Sequence, residues 1–325
     1  MKKQAMFARG AAAVAVLLSL ACGAAAAQDY PNRPVRSIVG YPPGGAVDTN
    51  ARILGQALSK LWGQSVVIEN RGGAGSTIGT AMAAQAAPDG YAYLVVSPAH
   101  AINATLYKKL PYDTEKDFAP VAQLTESPLI LFVNPSLPVN SVAELIAYAK
   151  AHPGKLNYGS SGNGTSVHLA GALFNMMAGT RMTHIPYNGG GPAYNALLAG
   201  DVDLMFGGVE GLPHAKSGKL KALAVTTPRR APGYADIPTV AESGLPGYEV
   251  EAWYGVYVPA ATPKDIVARL NRDINRALET DEVRKRYGEL GFSVVHGTPE
   301  QFAEFSKSEI AKWRKVVQFA NAGID

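Results

Sequence analysis

What most restricts the fold of this chain is a recurrent order of local signals: a short apolar run, a glycine-rich loop, then a segment of helical period. A strand that ends in a tight loop and continues into a helix is the building unit of layered α/β structures with parallel strands. Residues 35–39 read as the first strand, 40–46 as its loop, and 47–62 as a helix with Leu54, Leu58 and Leu61 on one face. The unit recurs as a strand over 66–69, a loop over 70–75 and a helix over 76–86. The Pro88-Asp89-Gly90 turn then leads to a strand over 91–96.

The order changes after Pro111. Residues 112–120 are polar and irregular, and two apolar runs follow, at 121–124 and 129–133, which suits a crossing into a second lobe. That lobe would hold a helix over 141–152, a strand around 157–159, a further Gly-rich loop, a helix over 166–178, and strands near 184–187, 202–206 and 220–225. The long aromatic run 248–258 reads as the return crossing. Helices over 264–278, entered through Thr262-Pro263, and over 281–290 and 299–321 then rejoin the first lobe. The expected division is residues 28–126 with 255–325 as lobe 1 and 127–254 as lobe 2. Two crossing segments form a hinge suited to closure over a ligand. Size agrees, since about 300 residues without the leader exceed what one hydrophobic core usually serves.

The leader is residues 1–27. Lys2, Lys3 and Arg9 form a basic start, 11–20 an apolar stretch, and 23–27 a run of small residues before Gln28, the pattern of an export signal cleaved near Ala27. The apolar stretch is shorter than the roughly 20 residues of a spanning helix. Cys22 is the only cysteine, and Ser19-Leu20-Ala21 before it make a poor lipidation box, so a lipid anchor there is the weaker reading. Once cleaved, the chain holds no thiol for a disulfide, a zinc knuckle or a nucleophile. Of the formal net charge of +4, three positive charges belong to the leader, leaving about +1. With no basic stripe, a nucleic-acid partner is not expected. The expected product is an exported, soluble, monomeric protein of the periplasm.

Three loops fall where strands end and helices begin: Tyr41-Pro42-Pro43-Gly44-Gly45, Gly72-Gly73-Ala74-Gly75-Ser76-Thr77, and Ser160-Ser161-Gly162-Asn163-Gly164-Thr165-Ser166. In open α/β sheets such loops lie at the carboxyl edge of the strands, where ligands bind. Their backbone N–H groups at positive helix ends make a seat for a carboxylate, so a small organic anion is the expected ligand. The same glycines also serve plain tight turns, and the Ser and Thr residues plain helix caps. Gly159–Ser166 lacks the lysine of a P-loop, and residues 75–78 break the dinucleotide spacing. There is no G-x-S-x-G elbow and no H-E-x-x-H, and the six histidines are not paired at metal spacing, so no cofactor, metal or catalytic set is expected. A Ser161–His168 dyad is the remaining enzymatic alternative, without a third orienting residue.

Several side chains carry two readings. Asp48 is either a first-turn acid stabilising its helix or a residue fixing the first loop, with Arg52 placed to pair with it. His168 either touches a ligand or bonds within the protein. Tyr187, ahead of Asn188 in the loop Asn188-Gly189-Gly190-Gly191-Pro192, lines the cleft or packs. Asp203 stands in an apolar strand with its role open, and Trp253 and Tyr254 pack or floor the cleft.

The order of these motifs resembles the Bug family of periplasmic solute receptors, the tripartite tricarboxylate transporter receptors. The resemblance rests on Tyr41-Pro-Pro-Gly-Gly-Ala-Val-Asp48 with Arg52, Glu69-Asn-Arg71 before Gly72-Gly73-Ala-Gly75, and Gly162-Asn-Gly164-Thr-Ser166-Val-His168. It extends to Pro186-Tyr-Asn-Gly-Gly-Gly-Pro-Ala193, Gly200-Asp-Val-Asp203-Leu-Met-Phe206 and Ile237-Pro-Thr-Val-Ala-Glu242. It implies a type II, Venus-flytrap, periplasmic-binding-protein fold, each lobe a sheet flanked by helices, and a carboxylate ligand held by both lobes. Carried onto this chain, the site candidates are Tyr41, Gly44, Gly45, Asp48, Gly75, Ser76, Thr77, Ser161, Gly164, Thr165, His168, Tyr187, Asn188 and Asp203. Asn188 stands where similar receptors often have Lys or Arg. The partner implied is a membrane permease, with a membrane sensor that reads the closed form as the alternative.

Overall fold

The computed structural model describes residues 30–187, 189–230 and 234–324; the leader with Cys22 and the candidate Asn188 lie outside the described residues. The first sheet contains β1 (Val35–Val39), β2 (Val66–Asn70), β3 (Ala92–Val96), β4 (Phe118–Pro128), β10 (Glu251–Pro259) and β11 (Ser293–Val294). Its order is β11-β4-β10-β3-β1-β2. Every residue of β3 is buried, as expected of a strand covered by helices on both faces. Helix α1 (Ala46–Trp62) lays Val47, Ala51, Leu54 and Leu58 on this sheet and stops at Gly63, whose left-handed backbone closes it.

The second sheet contains β5 (Ile130–Val133), β6 (Asn157–Ser160), β7 (Thr183–Pro186), β8 (Leu204–Gly207) and β9 (Lys221–Val225), in the order β7-β6-β8-β5-β9. Helices α4 (Val142–Ala151), α5 (Ser166–Ala178), α6 (Gly190–Ala199) and the short α7 (Leu212–Lys216) belong to this part of the chain. Both sheets are mixed rather than wholly parallel. β1 runs parallel to β2 and β3, and β6 parallel to β7 and β8, as the strand–loop–helix units require. The crossing strands β4, β5 and β10 pair antiparallel with their neighbours, because the chain passes through them from one sheet to the other rather than returning through a crossover helix.

The chain leaves the first sheet at Pro128 and returns to it at Glu251. Fully buried Thr226 ties the two passages: its N–H donates to Leu129 O (2.9 Å), and its hydroxyl makes short contacts with the carbonyls of Leu129 (2.9 Å) and Val250 (2.6 Å). Beyond the return come α8 (Lys264–Leu278), α9 (Asp281–Glu289) and α10 (Pro299–Ala320). α10 starts with a capping box between Thr298 and Gln301 and Pro299 in its first turn. It locks onto β10 through buried Glu309, which accepts the indole N–H of Trp253 (2.8 Å) and Trp313 (2.9 Å) and pairs with Lys312. The two indoles are fully buried, each contributing about 3 kcal/mol of apolar burial.

No element is expected between Val96 and Pro111, yet α3 (Ala99–Leu106) stands there, followed by the already described strand β4 where an irregular stretch is expected to 120. With α2 (Thr77–Ala84) it frames the carboxyl edge of the first sheet. Among the described residues no helix is long and apolar enough to cross a membrane.

Candidate functional site

The carboxyl ends of β1 and β2 carry the first two glycine loops. α1 begins at Gly45 with no side chain capping it, so its first-turn N–H groups have no side-chain acceptor. Asp48 turns back into the loop instead. Its carboxylate accepts Gly44 N–H (2.9 Å), Arg52 Nε (2.8 Å) and Asn70 Nδ2 (2.9 Å). Burial disfavours that charge, but Arg52, Gly44 N–H and Asn70 outweigh burial and hold the carboxyl below its usual range. Of its two readings, fixing the loop is the one observed. Asn70 also donates to Tyr41 O (3.0 Å), and the Tyr41 hydroxyl meets Ser97 Oγ at 3.0 Å.

The second loop stores strain. Ala74, Gly75 and Ser76 follow one another with φ of 44°, 62° and 78°. Only glycine takes that region freely, and a non-glycine residue there costs of order 1–3 kcal/mol. The turn is pinned from α3 and just beyond it: Asn103 Nδ2 donates to Gly75 O (2.8 Å) and the Tyr107 hydroxyl to Ala74 O (3.0 Å). The two loops touch closely, since a Cβ on Gly72 would lie 3.0 Å from Pro42 N, and α2 presses on the first loop, where a Cβ on Gly79 would lie 2.7 Å from Gly40 Cα. α2 starts after Ser76, again with no side-chain cap.

The third loop, after β6, satisfies itself. Thr165 Oγ1 accepts His168 N–H (3.3 Å) and donates to Gly162 O (2.8 Å); Gly164 N–H donates to His168 Nδ1 (3.1 Å). His168 is therefore bonded within the protein and only 5% exposed. Its ring stacks on His184 at 3.7 Å, and His184 Nε2 shares a 2.6 Å hydrogen bond with Ser160 Oγ. Burial lowers His168 to about 4, and burial plus the neighbouring His168 lowers His184 to about 3, so both rings are neutral at pH 7. His168 lines a cavity of about 410 Å³ with Asn175, Met182, His184 and Asn321, which no first-lobe glycine loop enters. The serine–histidine contact present is Ser160–His184, not Ser161–His168, and Ser160 is fully buried from any substrate.

Tyr187 follows β7, half-buried, with its N–H on Ser160 O (3.0 Å), and Gly189 N–H bridges to Ser161 O (3.3 Å), so the third and fourth loops hold each other. Asp203 requires a correction. Its carboxylate accepts Asn157 N–H (2.7 Å) and its N–H donates to Asn157 O (2.9 Å), which fixes it at the amino ends of β6 and β8. The loops stand at the opposite, carboxyl ends, and Asp203 is not brought to them.

The lobes meet where α10 packs along α5 and at two tighter points. Gly164, held at φ +73°, lies against Leu106 at the end of α3, and a Cβ at Gly291 would come 2.8 Å from Val209 Cγ2 and 3.1 Å from the Tyr234 hydroxyl. Between these contacts runs β10, where Trp253 packs and Tyr254 does not merely pack. The Tyr254 ring stands edge-on to Phe292 (5.4 Å), the residue is 7% exposed, and among the described residues its hydroxyl has no hydrogen-bond partner. Burial, then Tyr41 of the first loop and Glu210 of the second lobe, drives its phenol upward. Asn103, Tyr107 and Glu210 border these loops and are not singled out by the sequence, which offers Tyr254 only as packing or as the cleft floor. For Glu210 a signal existed: Gly207-Gly208-Val209-Glu210-Gly211 is one more glycine-rich turn after a strand.

The model of the tripartite tricarboxylate transporter family receptor matches residues 50–322. Protein BugT of Bordetella pertussis is 37% identical over 302 residues, covering 91% of this chain and 92% of its own. Among solved structures, the R. palustris protein with adipate superposes with a TM-score of 0.80 at 37% identity, covering 91% of this chain and 100% of the other. MatC from Rhodopseudomonas palustris with bound malate does so with 0.76 at 37% identity, covering 89% and 100%. The family model begins just past the first glycine loop and runs through the other loops and the second sheet, and the chain belongs to the tripartite tricarboxylate transporter receptor family, the family of the Bug proteins.

Proposed function

We propose that this protein captures a small carboxylate between its lobes in the periplasm and hands it to a membrane permease without transforming it. The observation that carries this reading is the pair of first-lobe helix starts, at Gly45 and Ser76, left without side-chain caps and held in place by Asp48, Asn70, Asn103 and Tyr107. A helix end contributes roughly 0.3–1 kcal/mol toward an anion, and each hydrogen bond to a charged group about 1.5–3 kcal/mol. Two such ends with two or three bonds reach the scale of a micromolar complex, about 8 kcal/mol. Relatives solved with adipate and malate support the ligand class.

In this reading lobe 1 comprises 28–128 with 251–325 and lobe 2 comprises 129–250, a division that follows the sheets and moves the expected boundaries by a few residues. Tyr41, Gly44, Gly45, Asp48, Gly75, Ser76 and Thr77 form the anion seat, and Ser161, Gly164, Thr165, Tyr187 and Asn188 close over it. His168 holds Gly164 from behind, and Asp203 takes no part. A leader cleaved near Ala27 delivers the chain.

A thermal-shift screen of small mono- and dicarboxylates tests the proposal. A true ligand at about 100 times its Kd stabilises by about 2.7 kcal/mol, which raises Tm by about 5 °C or more, with no product formed. A screen in which no carboxylate moves Tm would falsify it.

A further inference from the structure

Glu210 stands at the carboxyl edge of the second sheet, in the turn that follows β8. Its carboxylate folds over Gly208 and lies 3.9 Å from where a Cβ of Gly190 would be, at the first residue of α6. It is exposed and, among the described residues, has neither a cation nor a hydrogen-bond donor. α6 begins at Gly189 without a side-chain cap, so the acid occupies the place that a free helix start would offer to an anion. Val209, beside it, seals against Gly291 of the first lobe, which puts Glu210 at the rim where the lobes meet. Tyr254 supplies an independent sign that this space receives a ligand. The residue is more than nine-tenths buried, its ring stands on Phe292 (5.4 Å), next to the Gly291 against which Val209 seals, and its hydroxyl bonds to no described residue.

The two ends of the cleft therefore differ in sign. The first lobe offers backbone N–H groups at positive helix ends; the second offers an unpaired carboxylate. A ligand with a carboxylate at each end would set one of them against Glu210 with no cation to offset the repulsion. A ligand with a hydrogen-bond donor at its far end satisfies Glu210 and leaves its single carboxylate for the first lobe. Resting on the receptor reading above, we infer that Glu210, assisted by the Tyr254 hydroxyl, selects carboxylates whose far end is a hydrogen-bond donor, such as an ammonium or an amide, over dicarboxylates.

The test is calorimetry on the intact mature protein with three panels matched in chain length. One holds 4-aminobutanoate to 6-aminohexanoate and the corresponding ω-amides, the second succinate to adipate, the third butanoate to hexanoate. The wild type should bind the best donor-ended compound at least about tenfold tighter than the dicarboxylate of equal length. Whether the ammonium or the amide binds better identifies the donor. Glu210→Gln should erase that preference by tightening dicarboxylates and weakening ammonium ligands, with plain monocarboxylates shifted least. Tyr254→Phe, which keeps the ring on Phe292, should weaken the donor-ended compounds severalfold with no change in Tm. Dicarboxylates binding as tightly as, or tighter than, donor-ended compounds, with a ratio indifferent to Glu210→Gln, would overturn the inference while carboxylate capture stands. A protein that binds no member of any panel would remove the receptor reading and the inference with it.

Discussion

The helix starts of the two lobes look alike in sequence and are treated in opposite ways by the fold. In the first lobe, α1 and α2 begin without side-chain caps, and the chain supports them from outside. Asp48 and Asn70 brace one loop, and Asn103 and Tyr107 brace the other. In the second lobe, α5 begins at Thr165, whose hydroxyl accepts the His168 N–H, while His168 takes the Gly164 N–H. α6 is uncapped but shadowed by Glu210. Preorganised donors without a partner belong to a lobe that binds an anion; in the second lobe the α5 start is already satisfied and the α6 start faces an acid.

Asn103→Ala should have the largest effect on this contrast. The truncation leaves the Gly75 carbonyl without its donor and frees three left-handed residues to relax, costing about 1–3 kcal/mol of stability in urea melts. Because the relaxed loop no longer presents its N–H groups, carboxylate affinity should fall by about tenfold in calorimetry. Affinity that survives the stability loss would mean that the strained turn is not part of the seat.

A smaller effect is expected where the lobes join. Glu251, at the start of β10, is raised to about 8 by burial first, then by Glu126 and Glu249, with Lys312 opposing and Glu309 adding to the repulsion. Glu126, on the neighbouring β4, is raised too, by burial and by Glu249. An acid with a raised folded pKa keeps its proton when the unfolded chain has lost it. Its stabilisation is full below the unfolded value of 4.5 and declines as pH rises toward 8. Glu251→Gln should flatten that decline, gaining of order 1 kcal/mol near pH 8 and little near pH 4. Parallel melting curves for the two proteins from pH 4 to pH 8 would show that the pair does not load the crossing strands β4 and β10.

The elements that sequence conveys well are those with one dominant period. The apolar run of β1, the loop after it and the Leu54/Leu58 face of α1 carry their own signals, and so does the entry of α8 through Pro263. α3 has no such signal. It buries His100, Ala101, Ile102, Asn103 and Leu106, so no polar face alternates with an apolar one, and the segment reads as featureless until both lobes are placed around it. Asp203 illustrates a second limit, because a strand's residues betray their face but not which end meets the ligand edge. Glu210 illustrates a third: a lone acid in a glycine turn looks like a solvated charge, and only its place at the second sheet's carboxyl edge, beside the Val209 that meets Gly291 of the first lobe, gives it meaning. The motifs themselves were legible; whether a hydroxyl in them bonds a ligand or its own backbone was not.

Thr165→Ala separates those last two possibilities and is expected to be the mildest change. Losing a threonine cap costs about 1 kcal/mol, and the His168 N–H and the Gly162 carbonyl would each lose a partner. His168 would still hold Gly164, so the loop keeps its shape and the lobe still closes. Tm should therefore drop by about 2–4 °C while carboxylate affinity changes by less than about twofold. If affinity instead falls by tenfold with Tm barely moved, the Thr165 hydroxyl reaches the ligand. The contrast between an open first lobe and a self-satisfied second lobe would then have to be replaced by two lobes that share the anion equally.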